Sequence, residues 1–127
     1  MTPRRVSVAE ALAVHDAAIR MFGGAPGVRD TGVLESALAQ PFQAFADEDL
    51  YPGVADKAAR LCFGIVAGHP FVDGNKRTGA ALLGAFLRAN GVAFAPGHRE
   101  LLDAILGVAS GEMGYKEFAR WVRPQTG

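Results

Sequence analysis

The chain is poor in most of the features that would place it in a specialised class. One cysteine among 127 residues rules out an internal disulfide. That residue, Cys62, lies in a helical apolar pattern and is expected as a buried filler rather than a nucleophile. No run approaches the roughly eighteen apolar residues of a membrane span. Polar and charged residues follow the basic start at Met1 to Arg5, so no signal-peptide pattern forms, and a reducing cytoplasm is the expected compartment. Lysine plus arginine equal aspartate plus glutamate at 13 each. The zero balance excludes a strong nonspecific pull toward DNA or an anionic membrane, though a local basic patch survives the average. Lys57, Arg60, Arg88, Arg99, Lys116, Arg120 and Arg123 form no aromatic-interleaved stripe, so no direct nucleic-acid binding is expected. Strand signals, internal repeats, linkers and low-complexity tracts are also wanting.

What is present is helix punctuation. Half of the chain is hydrophobic and 20% is charged, an ordinary globular balance. The length suits one domain over residues 1–127. Ser7-Val8-Ala9-Glu10 has capping-box spacing. Val8, Leu12, His15, Ile19 and Phe22 then recur at helical intervals, and Gly23-Gly24 ends the run. His15 on that stripe reads as a satisfied core or interface histidine. Asp30 or Thr31 can cap a short second helix, with Val33, Leu34, Ala37 and Leu38 inward and Pro41 as its stop. Residues 42–53 are expected as an irregular loop anchored by Phe42 and Phe45. Asp47, Glu48 and Asp49 in it lack the ligand ladder and central glycine of a calcium loop, so a solvated loop is expected. Helices are predicted over Val54 to about Gly68, Asn75 to about Asn90, Glu100 to Ala109 and Tyr115 to Val122, the last stopped before Pro124. Val92 to Phe94 should be extended. Gly79, Ala80, Ala81, Gly84 and Ala85 allow close backbone approach, as a central helix needs. The predicted fold is all-α, about six helices packed around the 75–90 helix.

One loop departs from this regularity: Gly68-His69-Pro70-Phe71-Val72-Asp73-Gly74-Asn75-Lys76-Arg77-Thr78. Lys76 and Arg77 open a helix at its positive end, which costs roughly 0.3–1 kcal/mol each unless an anion offsets it. Local rules fail most often at functional sites, so an anion is expected there, with phosphate the natural choice. Gly74 tolerates positive φ and Asn75 the left-handed region, so a turn followed by a helix would aim successive N–H groups at the anion. Arg77 can grip phosphate with paired hydrogen bonds, and Lys76 adds a point charge. Asp73 is a hard oxygen ligand suited to Mg²⁺. His69 has the basicity to take a proton from an attacking hydroxyl. Phe71 should face inward and lock the loop. Base, metal ligand, anion cradle and cation clamp together are the parts of phosphate-centred transfer. A Walker A reading fails because lysine does not directly follow the glycine and no strand precedes. A zinc reading lacks ligands, since His15 and His98 are distant in sequence.

The run from His69 to Thr78 resembles the signature of the Fic/Doc family, specifically its Doc (death-on-curing) branch. The general Fic pattern is His-Pro-Phe-x-Asp/Glu-Gly-Asn-Gly-Arg-x-x-Arg. Lys76 replaces its second nest glycine and Ala80 its final arginine, and both match Doc. Gly-Gly-x-Pro-Gly at 23–27, Phe-Leu-Arg-Ala-Asn-Gly at 86–91 and Ser-Gly-Glu at 110–112 extend the resemblance. It implies a toxin that transfers the γ-phosphate of ATP, with Mg²⁺, to a threonine of elongation factor Tu, and that a Phd-like antitoxin neutralises. By the same resemblance His69 would activate the threonine and Asp73 would hold the metal. Gly74, Asn75, Lys76, Arg77 and Thr78 would bind the nucleotide. AMP transfer of the Fic kind and a catalytically silent partner-binding scaffold are the alternatives. An antitoxin segment is expected in the apolar groove between the first and the 75–90 helices. The 42–53 loop is expected to align the target chain.

Overall fold

The computed structural model describes residues 2–126. Among them lie six α-helices: α1 (Val8–Phe22), α2 (Thr31–Ala39), α3 (Val54–Gly68), α4 (Asn75–Ala89), α5 (His98–Ser110) and α6 (Tyr115–Gln125). The all-α expectation holds. No helix of the described residues is long and apolar enough to cross a membrane.

The ends of the elements follow local chemistry. Glu10 N–H donates to Ser7 Oγ at 3.1 Å, and Ser7 N–H donates to the Glu10 carboxylate at 3.0 Å, so the capping box starts α1. Asp30 caps α2 by accepting from Val33 N–H at 3.0 Å. A 3₁₀ turn, Gln40–Phe42, follows α2 and carries Pro41. At the far end of the chain α5 begins at His98, earlier than expected. The helix α6 runs through Pro124 to Gln125 instead of stopping before it. Pro124 has no N–H to donate to the Arg120 carbonyl, and the helix ends one residue beyond it.

The loop expected to be irregular contains a hairpin. Strands β1 (Ala44–Phe45) and β2 (Glu48–Asp49) pair antiparallel, and the two turn residues, Ala46 and Asp47, have φ of 51° and 66°. Two positive φ values give the turn whose twist matches the strands. Phe45 does not anchor this segment, being 77% exposed. The anchors are Phe42, edge-on to Phe86 with centroids 6.2 Å apart, and Lys57. The Lys57 ammonium is buried and donates to Asp49 Oδ2 at 3.1 Å and to the Tyr51 carbonyl at 2.6 Å. One carboxylate of the acidic triplet is thus held by a buried cation, which would be costly without it.

The helix α4 shares the centre of the fold with α3. Helix α3 packs against α2, α4, α5 and α6, whereas α4 packs against α1, α3 and α5. Gly79 lets the central pair approach closely. A β-carbon there would lie 2.5 Å from Val66 Cγ2 and 3.4 Å from the Cys62 carbonyl. Gly64 does the same against Ala37 of α2, at 2.9 Å. Around this pair Leu61, Ile65, Leu83, Phe86, Leu87 and Phe118 form the buried core. Cys62 lies among them, fully buried and without a disulfide.

Candidate active site

The loop from α3 to α4 is held from three sides. His69 ends α3 in the left-handed conformation, φ 54° and ψ 54°, and its N–H donates to the Ile65 carbonyl at 3.2 Å. Its own carbonyl and that of Gly68 accept from the Arg29 guanidinium at 2.6 and 3.0 Å. A cation at the negative end of α3 is the favourable placement. Arg29 and Asp30 N–H both donate to the Pro70 carbonyl, at 2.7 and 3.0 Å, and Val72 N–H donates to Gly27 at 3.0 Å. The glycine-rich segment after α1 is therefore stitched along the loop.

From the second side comes α1. His15 is 4% exposed, and its ring stacks on Phe71 with centroids 3.9 Å apart and planes 5° off parallel. His15 Nε2 lies 2.8 Å from the Asp73 carbonyl oxygen. A carbonyl only accepts, so this nitrogen carries the proton. Phe71 is fully buried, as its expected locking role requires. The Asp73 side chain is exposed, and its two oxygens accept from Gly74 N–H at 2.9 Å and Ala25 N–H at 3.2 Å. Those backbone donors, Ala25 first, hold its carboxyl below the usual carboxylate range, with Lys76 and His15 adding smaller contributions. A β-carbon at Gly24 would fall 2.8 Å from Asp73 Oδ2, so this close approach requires glycine.

Asn75 supplies the third side. It is buried, and its side chain closes a ring with the backbone of Phe71. The oxygen accepts from Phe71 N–H at 3.0 Å, and the nitrogen donates to the Phe71 carbonyl at 3.0 Å. The same nitrogen faces His69 Nδ1 at 3.2 Å. An amide NH₂ can only donate, so the neutral His69 ring has its lone pair on Nδ1 and its proton on Nε2. Asn75 was expected to share the left-handed turn. Gly74 alone takes it, with φ 77° and ψ 17°, and Asn75 is the first residue of α4. Its amide organises the loop and is fully engaged there.

No side chain caps the start of α4, and no acidic residue lies in its first turn. The N–H groups of Asn75, Lys76 and Arg77 occupy that turn, with the Lys76 and Arg77 side chains exposed beside it. The Arg77 guanidinium lies 4.0 Å from the centre of the Phe22 ring. Thr78 departs from expectation. It is fully buried, and its hydroxyl has no hydrogen-bond partner, so its side chain packs in the core and is not presented to a nucleotide.

These residues fit the groups that the chemistry implies. An uncapped helix start with two cations suits phosphate oxygens. Asp73 is ionised and exposed, with lone pairs left after two backbone bonds. Mg²⁺ commonly takes one or two carboxylates and completes its shell with water and phosphate. No cluster of three or more His, Cys, Asp or Glu that could hold a metal ion occurs among the described residues. The residues that the sequence reading did not place at the site are His15, Arg29, Gly24 and Ala25. His15 was rightly read as a buried, satisfied histidine, but its partner is the site loop. Gly24 and Ala25 lie in the 23–27 segment that shares in the resemblance, without a role at the site assigned to them, and Arg29 carried no signal.

A helical scaffold thus presents an uncapped helix start, two cations, a carboxylate and an imidazole on one loop. The Fic/DOC family model matches residues 5–87. The chain belongs to the Fic/Doc family. It is 34% identical over 120 residues to the protein named Protein kinase doc of Escherichia phage P1, an alignment that spans 94% of each chain. It is 46% identical over 74 residues to Toxin Doc of Mycolicibacterium smegmatis, covering 58% of this chain and 57% of that one.

Proposed function

We propose that the protein is a single-domain toxin of the Doc kind that moves the γ-phosphate of ATP to a threonine of elongation factor Tu and so arrests translation. The observation that carries this reading is the start of α4: uncapped, cationic, and on the same loop as an exposed imidazole. Full-length similarity to a protein named as a kinase supports it. Lys76 and Ala80 support phosphate transfer over AMP transfer. A lysine side chain fills a nest position, and the second arginine of the Fic pattern is missing.

In this mechanism the first-turn N–H groups of α4, Lys76 and Arg77 hold the phosphates and orient the γ-phosphorus. His69 takes the threonine hydroxyl proton on Nδ1, its lone-pair nitrogen, which exchanges the Asn75 amide for the hydroxyl as that oxygen bonds to the γ-phosphorus. The bond from that phosphorus to its bridging oxygen breaks, and ADP leaves. Before the transfer the Asn75 amide orients the His69 ring through Nδ1. Asp73 would hold Mg²⁺, which neutralises phosphate charge when bound. His15 and the Ala25 N–H fix the Asp73 backbone and carboxylate. The setting is the cytoplasm, and a Phd-like antitoxin is the partner. Phe22 of α1, exposed and lying under the Arg77 guanidinium of α4, supplies apolar surface for it. The hairpin β1–β2 aligns the target chain.

The deciding experiment incubates the protein and elongation factor Tu with ATP labelled at the γ or the α position. Label on threonine from the γ position alone is expected. Transfer of the α label alone would replace this reading with AMP transfer. Cellular toxicity undiminished in His69→Ala would favour a silent partner-binding scaffold.

A further inference from the structure

Arg29, outside the motif, grips three successive carbonyls of the site loop. It lies 40 residues before His69, in the loop between α1 and α2. Its Nε–H donates to the His69 carbonyl at 2.6 Å, and its Nη2 donates to the Gly68 carbonyl at 3.0 Å. Its backbone N–H donates to the Pro70 carbonyl at 2.7 Å. The Gly68 and His69 carbonyls belong to the two peptide planes that flank the His69 α-carbon. A guanidinium is a rigid planar fork, so both planes are tied to one group and both backbone angles of His69 are fixed. The conformation fixed in this way is a disfavoured one. His69 has φ 54° and ψ 54°, left-handed backbone that crowds the β-carbon of an L-residue. It also precedes Pro70, and a residue before proline is pushed toward extended backbone. Such a conformation persists only where its surroundings over-determine it.

We infer that Arg29 is a positioning residue for phosphate transfer: it holds the His69 backbone left-handed and thereby keeps the imidazole aligned with the attacking hydroxyl. This rests on the phosphate-transfer reading given above. Two groups orient His69 before the reaction, Arg29 through the backbone and Asn75 through Nδ1. Only the first persists through it, because Nδ1 exchanges the Asn75 amide for the threonine hydroxyl as the proton moves. The grip of Arg29 therefore matters most in the transition state. The phosphate cradle is built on the first turn of α4 and does not include Arg29, so nucleotide binding is independent of it. A misplacement of about 1 Å at a reacting group costs on the order of a hundredfold in rate. Lysine at this position would keep a cation at the negative end of α3 but has no fork with which to hold two carbonyls.

The test compares wild type, Arg29→Met and Arg29→Lys in steady-state transfer from γ-labelled ATP to elongation factor Tu, at a temperature where circular dichroism shows all three folded. Arg29 is exposed, and methionine keeps most of its apolar stem, so the fold should survive both changes. Expected in both variants is a kcat at least about tenfold below wild type, with KM for ATP and the affinity for ADP within about twofold. A smaller loss of kcat in Arg29→Met overturns the inference. A smaller loss in Arg29→Lys overturns it too, because charge without the fork would then suffice. Loss carried by KM or by ADP affinity also overturns it, since Arg29 would then be binding substrate. The ¹³Cα chemical shift of His69, which reports its backbone conformation, is read in the same three proteins without substrate. It should move toward the extended value in both variants, and an unchanged shift overturns the inference independently of any activity. If wild type transfers no γ-phosphate while the shift moves as expected, the phosphate-transfer reading fails and the hold of Arg29 on the His69 backbone does not, so the two failures are distinct.

Discussion

His15 is the one side chain of α1 that both stacks on the site loop and bonds to it, and its replacement separates the two contributions. In His15→Ala the buried ring is lost, with a cavity against Phe71, at roughly 2–3 kcal/mol. The hydrogen bond to the Asp73 carbonyl adds about 1 kcal/mol. The sum is about 3–4 kcal/mol, a large part of the stability of an ordinary domain. An unfolding entropy of about 2.1 cal/mol/K per residue corresponds to about 0.27 kcal/mol/K over 127 residues. The melting temperature of His15→Ala should therefore fall by about 11–15 °C. His15→Phe keeps an aromatic ring against Phe71 and loses only the hydrogen bond. It should cost about 1–2 kcal/mol, or about 4–7 °C. Thermal unfolding followed by far-UV circular dichroism reads both. If His15→Phe melts within about 1 °C of wild type, the Nε2 contact with Asp73 contributes nothing. If His15→Ala melts no lower than His15→Phe, the stacking argument fails. At a temperature where His15→Phe is folded, phosphate transfer should still fall at least tenfold, because the Asp73 backbone is no longer held.

Three further outcomes follow from the packing. Gly79→Val would force branched carbons into Val66 and the Cys62 carbonyl, and it should cost about 1–3 kcal/mol in urea unfolding; an unchanged midpoint would mean that α3 and α4 are not in close contact there. Burial alone pushes the Cys62 thiol far above its ordinary range. A disulfide reagent should therefore react with it in the native protein only as fast as the protein opens, and at once in denaturant; rapid native reaction would contradict the burial. Tyr115 is pushed up to about 12, by burial first and then by Asp56 and Tyr51. Its neutral form is thus favoured by folding, so its contribution to stability is complete below about pH 10 and declines as pH rises toward 12. Tyr115→Phe should flatten that alkaline decline in urea midpoints measured from pH 9 to 12, and an unchanged decline would refute the assignment.

Much of the helical framework could be read from neighbouring residues. Ser7 and Glu10, Asp30, and Gly23 act within a turn of where they sit, so capping chemistry locates the ends of α1 and α2 almost directly. The loop from His69 to Arg77 was legible for the same reason, since its chemical groups are contiguous and their order carries the resemblance. Folding decided the rest. His15, Ala25 and Arg29 reach the loop across separations of 58, 48 and 40 residues, and no local preference encodes such meetings. Thr78 shares the motif, yet helix phase turns it into the core, while Lys76 and Arg77 stay outside. Sharing the centre between α3 and α4 depends on the contact at Gly79, where a missing β-carbon in one helix meets Val66 of the other. The hairpin required the buried Lys57 to reach Asp49 and Tyr51. Residue chemistry in sequence order was enough to name the parts of a phosphate site. Their orientation came from packing between segments far apart in the chain, because burial and hydrogen bonding are satisfied in space rather than along the sequence.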